Sequence, residues 1–161
     1  MLTTDTALAM LTRRLETATR VDAIAALTLE QRVRSRQRVR LDDGREAGIL
    51  LPRGEILKDG DLLATDDGGL TVRIVAAPEC VSVAACADPV LLSRACYHLG
   101  NRHVALQIEP GRLCWLHDHV LDAMVLGLGL DVTVQDAPFE PEPGAYGGQA
   151  DVQAHAHAHH H

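Results

Sequence analysis

Aromatic residues are scarce in this chain: one Trp, two Tyr and one Phe, 2% of 161 residues. The core must therefore be Leu, Val, Ile and Ala, and little remains for stacking on bases or sugars. A net charge of −7 argues in the same direction, against a general nucleic-acid binder. No long uncharged apolar run is present, which excludes a helical membrane span. Asp5, Arg13, Arg14 and Glu16 interrupt the apolar positions of the first 20 residues, so no signal-peptide core forms and a cytoplasmic location is expected. The four cysteines, Cys80, Cys86, Cys96 and Cys114, make no C-x-x-C pair and read as small buried hydrophobes. There is no Gly-rich phosphate loop, no H-E-x-x-H, and no nucleophile motif near a histidine, so nothing positively supports catalysis.

Histidine is missing too, but only from the first 97 residues. All nine lie beyond: His98 and His103, then His117 and His119, then His155, His157, His159, His160 and His161. Neutral imidazole is the commonest ligand for borderline transition metals near physiological pH, so the C-terminal portion looks built to hold one. His117-Asp118-His119 would place two imidazoles on one side of an extended junction, although H-x-H alone is a weak signal. Asp118 is better placed as a helix cap than as a ligand. His103 is read as opening a strand, and His98 as a helical residue with a structural role. Ala alternates with His before the terminal run, which favours a natural metal-capturing tail over an expression tag.

The rest of the chain divides by texture. Leu8, Leu11 and Leu15 predict a short amphipathic helix within residues 3–17. From Ala25 to Ala77, short alternating runs are broken by Asp42-Asp43-Gly44, Pro52-Arg53-Gly54, Lys58-Asp59-Gly60 and Asp66-Asp67-Gly68-Gly69, a pattern of hairpins. Arg32, Arg34, Arg36, Arg38 and Arg40 occupy every second position, so on a strand they would share one face opposite Val33, Val39 and Leu41. That face is either a solvated edge that resists aggregation or a docking surface for an acidic partner. After Ala77 the predicted order is strand (79–85), helix capped by Asp88-Pro89 and stopped by Gly100, strands at 103–108 and 113–116, helix from Asp118 burying Val120, Leu121, Met124 and Leu128, and strand at 131–134. This βαββαβ order is the ferredoxin-like split pattern. From Ala137 the chain is Pro- and Gly-rich without apolar period, and a flexible tail is expected.

Tyr97-His98-Leu99-Gly100-Asn101-Arg102-His103, Leu106-Gln107-Ile108, His117-Asp118-His119-Val120-Leu121-Asp122 and Ala137-Pro138-Phe139-Glu140-Pro141-Glu142 with Gly144-Ala145-Tyr146 closely resemble the UreE family of urease accessory metallochaperones. Leu51-Pro52-Arg53-Gly54, Asp59-Gly60-Asp61-Leu62-Leu63 and the arginine-rich strand resemble that family's N-terminal domain. The resemblance runs from roughly Leu27 to Tyr146; the stretch before Ala25 matches nothing in the family. Ala105, Trp115-Leu116 and Ala123 depart from the family's usual residues, which bears on the accessory site rather than the central one.

The resemblance implies an α+β protein. A small N-terminal all-β, partner-docking domain would span 1–76, with 1–24, outside the resemblance, expected from its apolar spacing to be a helical extension. A ferredoxin-like metal-binding domain would span 77–140, followed by a flexible His-rich tail at 141–161. It implies a homodimer, with His103 binding nickel at the two-fold interface beside its symmetry mate, His117 and His119 as accessory ligands, and the tail histidines as further ligands. The implied function is delivery of Ni(II) for urease active-site assembly, with no enzymatic activity. Zn(II) or Cu(II) would compete in vitro, copper more strongly by the Irving–Williams order. The implied partners are the accessory GTPase UreG and the urease apoprotein complex, and neither nucleic acid nor membrane. A general divalent-metal buffer, or less readily a metal-dependent hydrolase, are the alternatives.

Overall fold

The computed structural model describes residues 7–144. The chain forms two compact units that divide between Ala76 and Ala77. The first contains β1 (Ala9–Leu15), β2 (Ala23–Leu27), α1 (Leu29–Arg32), β3 (Arg36–Arg40), β4 (Glu46–Leu50), β5 (Leu62–Thr65) and β6 (Thr71–Ala76). Its six strands form one sheet in the order β2-β6-β5-β1-β4-β3. The expected hairpins are β3–β4 and β5–β6, but β1 pairs with β4, and β2 with β6, in parallel. Gly44, Gly54, Gly60 and Gly68, at the expected turns, all have positive φ. Leu11, Leu27, Val39, Ile49, Leu63, Val72 and Ile74 fill the core with the aliphatic residues that the shortage of aromatics required.

Two expectations fail in this unit. The predicted helix within 3–17 is strand β1, inserted between β4 and β5 with a register shift between Leu11 and Arg13. Leu8, Leu11 and Leu15 have helical spacing, but backbone pairing on both sides to residues 38–54 positions away in sequence decides the conformation. The five arginines do not share one strand face either. Thr28 and Gln31 form a reciprocal capping box that starts a one-turn helix, α1, and Arg32 ends it. Arg32 is 1% exposed; its guanidinium donates to the Leu27 and Leu57 carbonyls at 3.3 and 3.5 Å. It ties β2 to the 51–57 loop and is no docking residue. Arg34 lies between α1 and β3 and pairs with Glu30. Only Arg36, Arg38 and Arg40 alternate outward on β3, with Val39 inward. β3 is an edge strand, and Arg38 reaches Glu46 on β4 at 3.5 Å. Charge on an exposed edge opposes pairing with another chain.

The second unit runs β7 (Pro78–Ala85), α2 (Pro89–Asn101), β8 (Gln107–Glu109), β9 (Arg112–Leu116), α3 (His119–Gly127) and β10 (Val132–Pro138). Its sheet order is β10-β7-β9-β8, every neighbouring pair antiparallel. Strand register places Ala84, Leu113 and Trp115 on one face, where they meet Ala95 and Leu99 of α2 and Val125 of α3. Burying each large apolar side chain contributes about 1.5–3 kcal/mol. Asp88 caps α2 as expected, accepting from the Val90 and Leu91 amides. Val120, expected to be buried, is exposed; the inward stripe of α3 is Leu121, Asp122, Met124 and Val125, continued by the capping residue Leu128.

The flexible tail does not begin at Ala137. β10 extends through Pro138, Phe139 is fully buried, and the Glu140 and Glu142 amides donate to the Gln107 side chain and the Leu106 carbonyl. The only Phe supplies the apolar anchor that holds this stretch. Among the described residues no helix is long and apolar enough to cross a membrane.

Candidate metal centre

The two helices of the second unit end in the same way, except that His103 stands at α2 where α3 has a glycine. At the end of α3 the Gly129 amide donates to the Leu126 carbonyl, and the Leu130 amide to that of Val125. This is a Schellman motif, with Gly129 in the left-handed region at φ +101. At the end of α2 the His103 amide donates to Gly100 and the Val104 amide to Leu99, the same pair of bonds. The left-handed position is filled here by His103, at φ +56, the one non-glycine residue with positive φ among those described. Glycine is the default there because a Cβ in that region costs about 1–2 kcal/mol. An exposed imidazole thus occupies the place where backbone energetics favours no side chain. This also corrects the expected strand at 103–108: the helix cap takes His103 and Val104, and β8 begins only at Gln107.

His117 is built differently. Its amide donates to the Cys80 carbonyl, extending the β7–β9 ladder by one residue. Its Nδ1 lies 3.0 Å from Asp122 Oδ2 and 3.0 Å from Ser82 Oγ. Asp122 Oδ1 accepts from Trp115 Nε1 at 2.9 Å. Ser82 is fully buried and Asp122 nearly so, while the His117 side chain is 39% exposed. One ring nitrogen is thus held by the protein, and Nε2 is the nitrogen left for a ligand.

Asp118 is extended at φ −150 and ψ 119, and caps α3 by accepting from Val120 and Leu121 at 2.8 and 3.2 Å. Those amides, Leu121's first, hold its carboxyl below the usual aspartate range. It is a cap, as its sequence position implied. His119 starts α3, so the two imidazoles straddle a strand-to-helix junction instead of continuing one extended run. His98 lies exposed on α2 with its ring edge-on to Tyr97 at 5.4 Å. The cysteines are less uniform than expected: Cys114 is buried, Cys86 and Cys96 partly so, and Cys80 exposed. Burial pushes the Cys96 thiol up, which makes it a poorer thiolate ligand. Among the described residues, no three His, Cys, Asp or Glu side chains gather as a metal-binding group. His155, His157, His159, His160 and His161 lie outside the described residues.

Asp122 and Ser82 are not among the site residues that the sequence suggests. A signal for Asp122 was present: an acidic residue on the stripe of α3 that carries Val125, in a protein whose single Trp needs an acceptor for its N–H.

Residues 8–77 match the family model described as UreE urease accessory protein, N-terminal domain, and residues 79–161 the one described as UreE urease accessory protein, C-terminal domain. The chain is 59% identical over 140 residues to the urease accessory protein UreE of an Enterobacter species, spanning 87% of this chain and 92% of that one. It is 56% identical over 149 residues to that of Citrobacter koseri, spanning 92% and 98%. With a Pseudomonas putida counterpart it shares 56% over 137 residues, 85% of each chain. The chain belongs to the UreE family of urease accessory proteins. It is an accessory chaperone of urease maturation, not an enzyme, and the hydrolase alternative falls with that assignment. The match begins at residue 8, so β1 belongs to the family's N-terminal domain, ahead of the Leu27 from which the resemblance was expected to run.

Proposed function

We propose that this protein is a nickel metallochaperone that delivers Ni(II) for assembly of the urease active site. The observation that carries the reading is His103: an exposed imidazole in a left-handed helix cap where the neighbouring helix uses glycine. Strain of this kind, about 1–3 kcal/mol, persists at positions kept for function. His103 contributes one imidazole per chain, so the site is read as shared with a second copy across a two-fold axis. His117 and His119 serve as accessory ligands, and the histidines from His155 to His161 capture metal and raise its local concentration. A few nitrogen donors suit cargo that must be surrendered, whereas a closed thiolate cage would retain it. Zn(II) and Cu(II) would enter the same donors in vitro.

The second unit, 77–140, is on this reading a ferredoxin-like metal-binding domain, which its strand order and all-antiparallel pairing support. The first, 1–76, is the partner-docking domain. Arg36, Arg38 and Arg40 on the edge of its sheet offer an acidic partner three exposed cations. The partners proposed are the GTPase UreG and the urease apoprotein complex, in the cytoplasm.

Native mass spectrometry tests the central site. With the tail from residue 147 removed, the chain should appear as a dimer carrying one nickel at low loading. His103→Ala should lose that ion while remaining dimeric. A metal-loaded monomer as the main species, or tight binding unchanged in His103→Ala, would refute the reading.

A further inference from the structure

We propose that Asp122 is a positioning residue for metal handling: anchored by the Trp115 indole, it keeps the His117 proton on Nδ1 and so presents Nε2 to the metal. The proposal rests on the reading above that His117 is a nickel ligand.

Three elements build the surroundings of one ring nitrogen: two side chains reach it, and the third anchors one of those two. Ser82 comes from β7, Trp115 from β9 and Asp122 from α3. Asp122 is 9% exposed, and a buried carboxylate is tolerated only where its oxygens find donors. Oδ1 takes the Trp115 Nε1–H at 2.9 Å, and Oδ2 faces His117 Nδ1 at 3.0 Å. Indole N–H can only donate and a carboxylate can only accept. The proton between Oδ2 and His117 must then sit on Nδ1, with Ser82 Oγ beside it at 3.0 Å. Neutral imidazole carries one N–H, so Nε2 is left with its lone pair, on a side chain that is 39% exposed. Carboxylate–histidine–metal arrangements work in this way, fixing the ring orientation and raising the basicity of the ligating nitrogen.

The same logic dictates the decisive substitution. Asp122→Asn keeps size and shape but offers one acceptor and one N–H2 group. The buried Trp115 N–H requires the acceptor, so the amide N–H2 faces His117. Nδ1 must then accept, its proton moves to Nε2, and the ligating atom is blocked. An aspartate-to-asparagine exchange traps the wrong histidine tautomer in serine proteases for the same reason. Trp115→Phe in the Asp122→Asn background removes the competing donor. The amide can then turn its oxygen to His117 and restore the original tautomer.

The experiment uses the full chain, with imidazole 15N–1H correlation spectra of the metal-free protein followed by a Ni(II) titration read at the His117 ring signals. Wild type should show the Nδ1–H form, and nickel should perturb it. Asp122→Asn should show the Nε2–H form with a folded backbone spectrum and about 10–100-fold weaker nickel binding at His117. The double variant should recover the Nδ1–H form and most of the affinity. An unchanged tautomer in Asp122→Asn overturns the proposal, as does a switched tautomer with unchanged affinity. So does a double variant that binds no better than the single one, which is what a merely structural Asp122 would give. If nickel leaves the wild-type His117 signals untouched, His117 is no ligand; the metal-free spectra would then show separately whether Asp122 sets its tautomer.

Discussion

Replacing His103 with glycine separates the ligand from the backbone that presents it, because the two effects have opposite signs. In the absence of metal, His103 holds a left-handed conformation at φ +56, against a penalty of about 1–2 kcal/mol for a residue with a Cβ. Glycine removes the penalty but gives the unfolded chain extra freedom worth about 0.4–1 kcal/mol. His103→Gly should therefore stabilise the second unit by about 0.5–1 kcal/mol in EDTA, a difference in the sense of these two terms. His103→Ala keeps the Cβ and should stay close to wild type. Trp115, the only Trp and fully buried in the core that includes Leu99, reports on this unit alone in urea unfolding followed by fluorescence. With nickel the order should invert. A ligand at a hundred times its Kd stabilises the folded state by about 2.7 kcal/mol, and both variants should forgo most of that gain at this site. If His103→Gly unfolds before His103→Ala in EDTA, the cap is not strained and the argument from conformation to function fails.

Arg32→Met should destabilise the first unit by about 2–4 kcal/mol, since two carbonyls lose a charged donor, whereas Arg36→Ala should stay within about 0.5 kcal/mol; thermal unfolding of the two distinguishes a buried tie from an edge charge. The Asp22 carboxyl is held below the ordinary value of 3.8, first by the Thr71 amide and also by Arg20, so its stabilising contribution is complete above that value and is lost as pH falls through the lowered one. Asp22→Asn should flatten this part of the acid limb of a stability–pH curve and leave the neutral region's slope unchanged. Deleting Ala154–His161 should lower the number of nickel ions bound in calorimetry and leave metal-free unfolding unaltered; loss of urease activation at saturating nickel in a reconstituted assay would show that the tail does more than concentrate metal.

What was legible in the sequence was local. Asp88-Pro89 and Asp118 cap their helices because a side-chain oxygen beside the first free amides needs no distant partner. The turn glycines are found at positive φ for the same reason, and the βαββαβ order follows from short segments whose apolar period is self-contained. The Y-H-L-G-N-R-H run, long and specific, carries most of the family resemblance, together with shorter segments of both units. Only the tertiary structure decided the rest. β1 is a strand because β4 and β5 pair with both its edges, against its helical spacing. Arg32 is interior because the 51–57 loop closes over α1 and brings a carbonyl to it. His103 takes a glycine's place because Val104 must cap the helix through Leu99. Asp122 counts as a charged surface residue until the fold sets β9 and β7 against α3, and then one carboxylate serves both the Trp115 indole and the His117 ring. Each of these depends on hydrogen bonds whose partners come from separate elements, and no window along the chain contains both ends.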